Sequence, residues 1–574
     1  MVSRNKTALL HAVLFMRFNC AYPILSKNPR KRDLLFWYNI SMKITPNLNT
    51  DARYYYNAVQ LGLPLDLELC IAKDDMVFSF LDAIKGVNLR KYVRNIRSNN
   101  TNSHDKAVLL RTALFGYMAN KRSLDELEEA CKTDIRFMML SRQENPSHMA
   151  FQRMFSELIE TIEDIFFEIS SYIAKEKMEC NLDEQYVDGT KIEANANKNT
   201  FVYKTRIINA KARLNFNITD QIVKLNHRYG YNYRIQKEYA AQEIGYICQY
   251  LLEVMIQQGI EIKYGKGQRK EEIQRFYDEF LAYYQKLGEY EYWLSVLGER
   301  NSCSKTDLDA TFMATKWDYY NQSGQTRACY NSQISVCGGI IVNAGVYQNP
   351  ADTLTWQDFM EKYKRHHGSY PKWPVADAGY GSYDNYFYNI KRGIELVQKY
   401  NMYGKKEDKE FKKKKFHTLN WPENEEGYKI CPAGRVFDQY VRDSQRTTPR
   451  GNLIISNMYC EKEKCEGCRY RKDCLKEDKT KQIGINTVQG EFHTIVDKNL
   501  NSEKGKEMRK QRSIQVEGAF GVIKQNMKFT RFTRRGMKNV KMEFYLICLG
   551  YNFRKYHYYR LLNRNNNPTE NLMN

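Results

Sequence analysis

The chain lacks any uninterrupted apolar run of the ~18 residues that a membrane span requires, so the sequence predicts no transmembrane helix. It is also short of acid: 67 Asp and Glu stand against 89 Lys and Arg, a net charge of +22. An imbalance of that size favours a polyanionic partner, because neutralising phosphates releases counterions. Solubility, or an AT-rich genome rich in Lys and Asn codons, is the alternative source of the same bias. A disulfide framework is missing as well. Most of the 14 cysteines are single and sit in apolar contexts, as at Cys131, Cys248 and Cys548, where they read as reduced core residues. No fixed-period repeat is present. What is present is ample core-forming material, 42% hydrophobic residues over a 574-residue chain, which excludes wholesale disorder. Length alone suggests about three or four domains.

The first residues, "MVSRNKTALLHAVLFMRFNCAYPIL", resemble a weak signal peptide that Arg17 interrupts. The expectation is that residues 1–41 do not belong to the working protein and that Met42 is the initiator. From Leu63 to Ile169 the pattern is helical. Ser123 and Glu126 form a capping box, and Leu124, Leu127 and Cys131 follow at helical spacing. Two short helices joined by the basic turn "ANKRS" suit either a DNA-binding helix-turn-helix variant or an ordinary bundle. Around Asp188 the character changes to strand, and Asp-Gly reads as a turn after it. Residues 201–300 return to helix. Strand signals resume at "DATFMATKW" and "ACYNSQISVCGGIIVNAGVYQ", then "TLTWQDFMEKYKRH" reads as helix and "WPVADAGYG" as strand. Residues 401–490 are polar and lysine-rich, a second insertion or flexible segment. Helix resumes near Glu503, and "VKMEFYLICLGYNFRKY" predicts a last apolar helix.

Three carboxylates stand out. Asp188 in "YVDGTK" and Asp377 in "VADAGYG" each end an apolar push and precede glycine; Glu517 in "SIQVEGAFGVIK" sits within a helix. Phosphoryl transfer on DNA uses divalent ions that activate the attacking oxygen and stabilise the leaving one. Mg²⁺ takes oxygen ligands and keeps much of its water, so two or three carboxylates suffice. Strand ends place the aspartates rigidly, and glycine beside each permits close approach. Glu517 and Lys524, seven residues apart, share a helical face, suiting metal and phosphate respectively. Taken singly, an Asp-Gly pair is most often only a turn, and Glu and Lys at this spacing are common on solvated helices. Asp309 is a rival acidic candidate, read as structural.

"CEKEKCEGCRYRKDC" places Cys460, Cys465, Cys468 and Cys474 within fifteen residues. Four thiolates at this spacing can satisfy tetrahedral Zn²⁺. An iron–sulfur cluster takes the same number, and a reduced, exposed loop is the plain reading. The expectation is one zinc per chain, with Cys431 in "CPAG" as an alternative ligand.

Taken in order, "YVDGTKIEANANK", "DATFMATK", "CYNSQISV", "VADAGYGSYDNY" and "VEGAFGVIKQNMKFTRFTRRG" resemble the DDE transposases of bacterial insertion sequences. The resemblance is to the subgroup with a helical N-terminal domain and a four-cysteine segment before the glutamate, and it runs from about residue 60 to 556. It implies an α/β protein with an RNase H-like catalytic domain, a mixed central sheet flanked by helices. That domain would comprise 176–200, 301–400 and 491–560, interrupted by a helical insertion at 201–300 and a lysine-rich, four-cysteine insertion at 401–490. An extension at 1–59, a helical DNA-end-binding domain at 60–175 and a tail at 561–574 would complete the chain. The implied triad is Asp188, Asp377 and Glu517, holding two Mg²⁺ or Mn²⁺ ions for cleavage at element ends and strand transfer into target DNA. Some relatives carry Arg four residues before the glutamate; Ser513 stands there, and Arg512 is adjacent. Arg512, Lys524, Arg531, Arg534 and Arg535 are the expected DNA contacts. The implied partners are double-stranded DNA and a second copy of the chain, in a bacterial cytoplasm at the nucleoid. A nuclease of the same fold without strand transfer, and an inactive DNA-binding relic, are the alternatives.

Overall fold

The computed structural model describes residues 71–93, 104–265, 267–315, 324–406, 408–475 and 480–566. The expected start at Met42 and the extension at 1–59 lie outside the described residues, as do residues 567–574. All of the described residues fall within one compact unit.

The leading segment includes the helices α1 (Met76–Ile84), α2 (Lys106–Ala119), α3 (Leu124–Thr133), α4 (Ile135–Leu140), α5 (His148–Leu158) and α6 (Ile162–Tyr172). Their ends follow the sequence. Asp105 caps α2 by accepting from the Ala107 N–H, Asn120 ends it in a left-handed conformation at φ 66°, and the Ser123–Glu126 capping box opens α3 as predicted. Two strands follow, β1 (Glu184–Glu193) and β2 (Phe201–Tyr203), then a three-helix excursion, α7 (Lys204–Tyr229), α8 (Ala241–Gln257) and α9 (Glu272–Leu297). Ile222, Leu225, Leu251, Met255 and Phe280 give these helices a core of their own. Pairing of β2 with β3 (Ser302–Ser304) closes the base of the excursion.

The central sheet is mixed. Its strands β4 (Thr311–Ala314), β5 (Thr326–Cys337), β1, β7 (Trp373–Gly381) and β8 (Gln398–Tyr400) lie in that order, with β6 (Ile340–Tyr347) also paired to β5. β1 runs antiparallel to β5 and parallel to β7. Gly338 and Gly339, at φ 56° and 85°, make the two-residue β5–β6 hairpin, a conformation that disfavours other residues. Helices α10 (Trp356–His367) and α11 (Tyr383–Lys391) form the crossovers to β7 and β8. This mixed sheet flanked by helices is consistent with the RNase H-like arrangement.

Beyond β8 the lysine-rich segment carries a three-stranded antiparallel sheet of β9 (Gln439–Thr447), β10 (Leu453–Cys460) and β11 (Ile483–Ile485). Helix resumes at α12 (Thr487–Asn501), well before Glu503, which instead opens α13 (Glu503–Arg512). The stripe buried by α12 is thin, Phe492, Val496 and Leu500 in a polar segment, so its periodicity is weak in the sequence. A π-helical turn, Ser513–Glu517, continues α13 into the short helix Gly518–Gly521, and a second π turn spans Val522–Asn526. The closing helix α14 (Met537–Asn566) packs on α1, α2, α6 and β6. The leading helices, the sheet and α14 share one continuous core, in which Phe80, Phe115 and Phe155 meet Ile334, Ala344, Tyr545 and Phe553.

Candidate active site

Parallel pairing of β1 with β7 runs from Glu184 with Trp373 to Tyr186 with Val375 and stops there. Asp188 and Asp377 are each two residues further on. They are therefore register mates on the same face, placed where two parallel strands cease to bond and a crevice opens between them. The sequence put each aspartate at a strand end followed by a turn. In the structure both strands run on, to Glu193 and Gly381, because β1 stays bonded to β5 across Asp188, Gly189 and Thr190. The strand ends only with respect to its parallel neighbour.

A cleft of about 710 Å³ opens there, lined by Asp188, Thr190, Lys191, Arg327, Asp352, Asp377, Arg512, Glu517 and Lys524 among others. Both aspartates are fixed locally: the Gly189 N–H donates to Asp188 Oδ1 at 2.9 Å and the Gly379 N–H to Asp377 Oδ1 at 2.8 Å. Thr190 shares the face of Asp188 by the period of two, and its hydroxyl accepts from Lys524 Nζ. Glu517 is exposed on the first π turn. The four residues chosen from sequence as catalytic thus line one cleft.

Arg512 reaches both aspartates. Its Nη2 lies 3.1 Å from Asp188 Oδ1 and 3.6 Å from Asp377 Oδ2, and its Nε donates to the Val187 carbonyl at 3.4 Å. The π turn explains how it gets there. In an α-helix residues five apart are roughly 140° apart around the axis, whereas an i→i+5 turn returns them to nearly one face. Arg512 and Glu517 both face the cleft because the turn absorbs one residue.

Asp352, just ahead of α10, was not singled out by the sequence. Asn331 Nδ2 and Gln333 Nε2 donate to its Oδ1 at 2.7 and 2.8 Å, and the Tyr380 hydroxyl donates to Gln333 Oε1. Burial, and then the charges of Asp352, Asp188 and Asp377, push the Tyr380 hydroxyl well above its usual pKa. The legible signal was the pair of amides, Asn331 and Gln333, at alternate positions of β5, where both are buried. Lys399 on β8 is pulled down by burial and by its neighbours Arg512 and Arg509.

Arg531, Arg534 and Arg535 also make contacts within the protein. Arg531 donates to the carbonyls of Ala194 and Ala196, and Arg535 to that of Asn195. Arg534 lies over the Phe155 ring. These contacts dock the "RFTRRG" loop on the segment after β1 and on α5. Asp309 accepts from the Met537 N–H at the start of α14, a capping role in keeping with its structural reading.

Oxygen donors suit a hard divalent cation, and one guanidinium nitrogen reaching both aspartates shows that they converge on a single cationic position. Yet among the described residues no three of His, Cys, Asp or Glu are gathered to hold a metal ion. The expected zinc set has no support on the same ground. Cys460 is buried at the end of β10, whereas Cys465, Cys468 and Cys474 line a cavity of about 20 Å³ with Cys431. Lys481 Nζ donates to Cys474 Sγ at 3.3 Å, and burial pushes the Cys465 thiol up.

Residues 430–557 match the family model described as "Transposase DDE domain". This supports a DDE transposase. The matched span holds Glu517, Lys524, Arg512 and the cysteine segment; Asp188 and Asp377 lie outside it and join it through the fold. No curated protein and no solved structure matches the chain. Among the described residues no helix is long and apolar enough to cross a membrane.

Proposed function

We propose that the chain is the transposase of a bacterial insertion sequence, cutting DNA at the element's ends and joining the freed 3′ ends to target DNA. One observation carries the reading: Asp188 and Asp377 sit side by side where β1 and β7 part, across one cleft from Glu517 and Lys524. Two Mg²⁺ or Mn²⁺ ions held by Asp188, Asp377 and Glu517 would supply activation of the attacking oxygen and stabilisation of the leaving one. Lys524, anchored on Thr190, meets a phosphate entering the cleft, and Lys191 and Arg327 widen the positive wall. Arg327 is already paired with Glu193 at 2.8 Å, so its share is the smaller. The leading helices at 60–175 bind the element ends, and synapsis of two ends calls for a dimer at the nucleoid.

The test is a strand-transfer assay with DNA flanking the gene, Mg²⁺, and wild type against Asp188→Ala. Joined product from wild type and none from the variant is the expected result. Cleavage without joining would make the chain a nuclease, and equal product from both would remove Asp188 from the chemistry. Retention of DNA binding with no cleavage by wild type would make it a binding relic.

A further inference from the structure

We propose that Arg512 is a built-in counter-cation that holds Asp188 and Asp377 together and is exchanged for the divalent ion when the site is loaded. The inference rests on the reading of the cleft as a metal site. Its Nη2 contacts both aspartates, at 3.1 and 3.6 Å, so the side chain sits where a cation shared by the two carboxylates belongs. The hold is loose at two of its points: the contact on Asp377 is 3.6 Å and the backbone anchor of the guanidinium, at Val187, is 3.4 Å long. Asp377 is also 43% exposed, so water competes for that contact.

The arrangement accounts for the state of the carboxylates. With a positive charge between them, Asp188 and Asp377 can approach without mutual repulsion, while Glu517 stays exposed on its π turn and no three-carboxylate group is closed among the described residues. Lys399 on β8 is a like-charged neighbour of Arg512, and like charges repel, which favours departure of the guanidinium once a dication neutralises the aspartates.

Binding of Mn²⁺ alone, followed by titration calorimetry on the full chain, tests the exchange. Removing the competing charge in Arg512→Gln is expected to tighten Mn²⁺ binding about tenfold, given the size of a charge–charge term at this separation. Arg512→Lys, which keeps the charge, is expected to stay within about threefold of wild type. Melting in chelator guards against misfolding: Arg512→Gln should melt lower than wild type, and Mn²⁺ should raise its midpoint by more than it raises that of wild type. Unchanged, weaker or undetectable Mn²⁺ binding by Arg512→Gln overturns the exchange. Asp188→Asn separates the two levels. If it leaves Mn²⁺ binding intact in both backgrounds, the metal-site reading of the cleft is what fails.

Discussion

A Cβ built on Gly189 would lie 2.2 Å from Gln333 Nε2, the nitrogen that also holds Asp352. Gly189→Ala must therefore push Gln333 off Asp352 and off the Tyr380 hydroxyl. The groups around this amide are confined: Gln333 and Asn331 are buried, and Tyr380 is 1% exposed. The expected cost is about 1–3 kcal/mol, the range for overpacking with a buried hydrogen bond lost, read from urea melts. Gly379→Ala is the control. Its Cβ would meet Asp377 Oδ1 at 3.0 Å and Asp352 Oδ2 at 3.4 Å, contacts that a half-exposed aspartate can relieve by turning, so its effect should fall on the site more than on the melt. Melting of Gly189→Ala within about 0.5 kcal/mol of wild type would show the amide network to be soft. At this scale the sequence was half legible. Glycine beside each aspartate signals close approach, but what approaches Gly189 is a side chain from β5, 144 positions away by numbering from 189 to 333, and nothing local names it.

The helix carrying Glu517 shows what element-level periodicity can miss. Met508 and Val516 are both buried, yet eight residues in an α-helix would set them about 80° apart. The π turn at Ser513–Glu517 absorbs one residue, so the effective step is seven and both face the core, while Arg512 and Glu517 both face the cleft. A purely α-helical reading found Glu517 and Lys524 on one face and left Arg512 out of register by one. The π turn supplies that residue, and such turns concentrate at functional sites. Deleting exposed Ser513 should therefore be tolerated. The remaining residues close an α-helical turn with Arg512 four positions before the glutamate, about 40° away, and the fold should gain up to about 1 kcal/mol from the regular ladder. Inserting a second serine after Ser513 should instead misplace either Met508 or Arg512. Circular dichroism melts and Mn²⁺ binding of the two variants check this; loss of Mn²⁺ binding on deletion of Ser513 would mean the π geometry itself is required. Elements with a strong apolar pattern, β5, β6, α10, β7 and α14, were readable from the sequence. The thin stripe of α12 and the one-residue irregularity of the π turn were not, because periodicity averages over both.

Across the whole molecule, leading helices, crossover and closing helix meet at one buried ionic junction. Glu163 on α6 pairs with Lys362 on α10 at 3.5 Å and accepts from the Tyr545 hydroxyl on α14 at 2.5 Å. Lys362 Nζ donates to the same hydroxyl at 2.9 Å, and His366, stacked on Phe167, lies 3.2 Å from Glu163. No local signal joins residues this far apart in the chain, which is why the packing of the leading helices onto the central sheet was not legible. Burial alone would raise the Glu163 carboxyl, but the hydrogen bonds from His366 and Tyr545 and the charge of Lys362 bring it down to about 2. Its folded pKa is below the unfolded value near 4.5, so its contribution is present above that value and is lost as pH falls toward 2. His367 is depressed to about 4, chiefly by burial; the unfolded chain takes up that proton first, so stability also falls as pH drops from about 6.5 to 4. Urea melts of wild type should thus weaken in two stages below neutrality. Glu163→Gln is expected to cost roughly 3–5 kcal/mol at pH 7, since it leaves Lys362 buried without its counter-charge, and to flatten the stage between about pH 4.5 and 2.5. His367→Gln should flatten the upper stage by about 3 kcal/mol, the size of its shift. A Glu163→Gln variant whose stability falls through that lower stage as steeply as wild type would remove this junction as the acid-labile tie between the leading helices and the sheet.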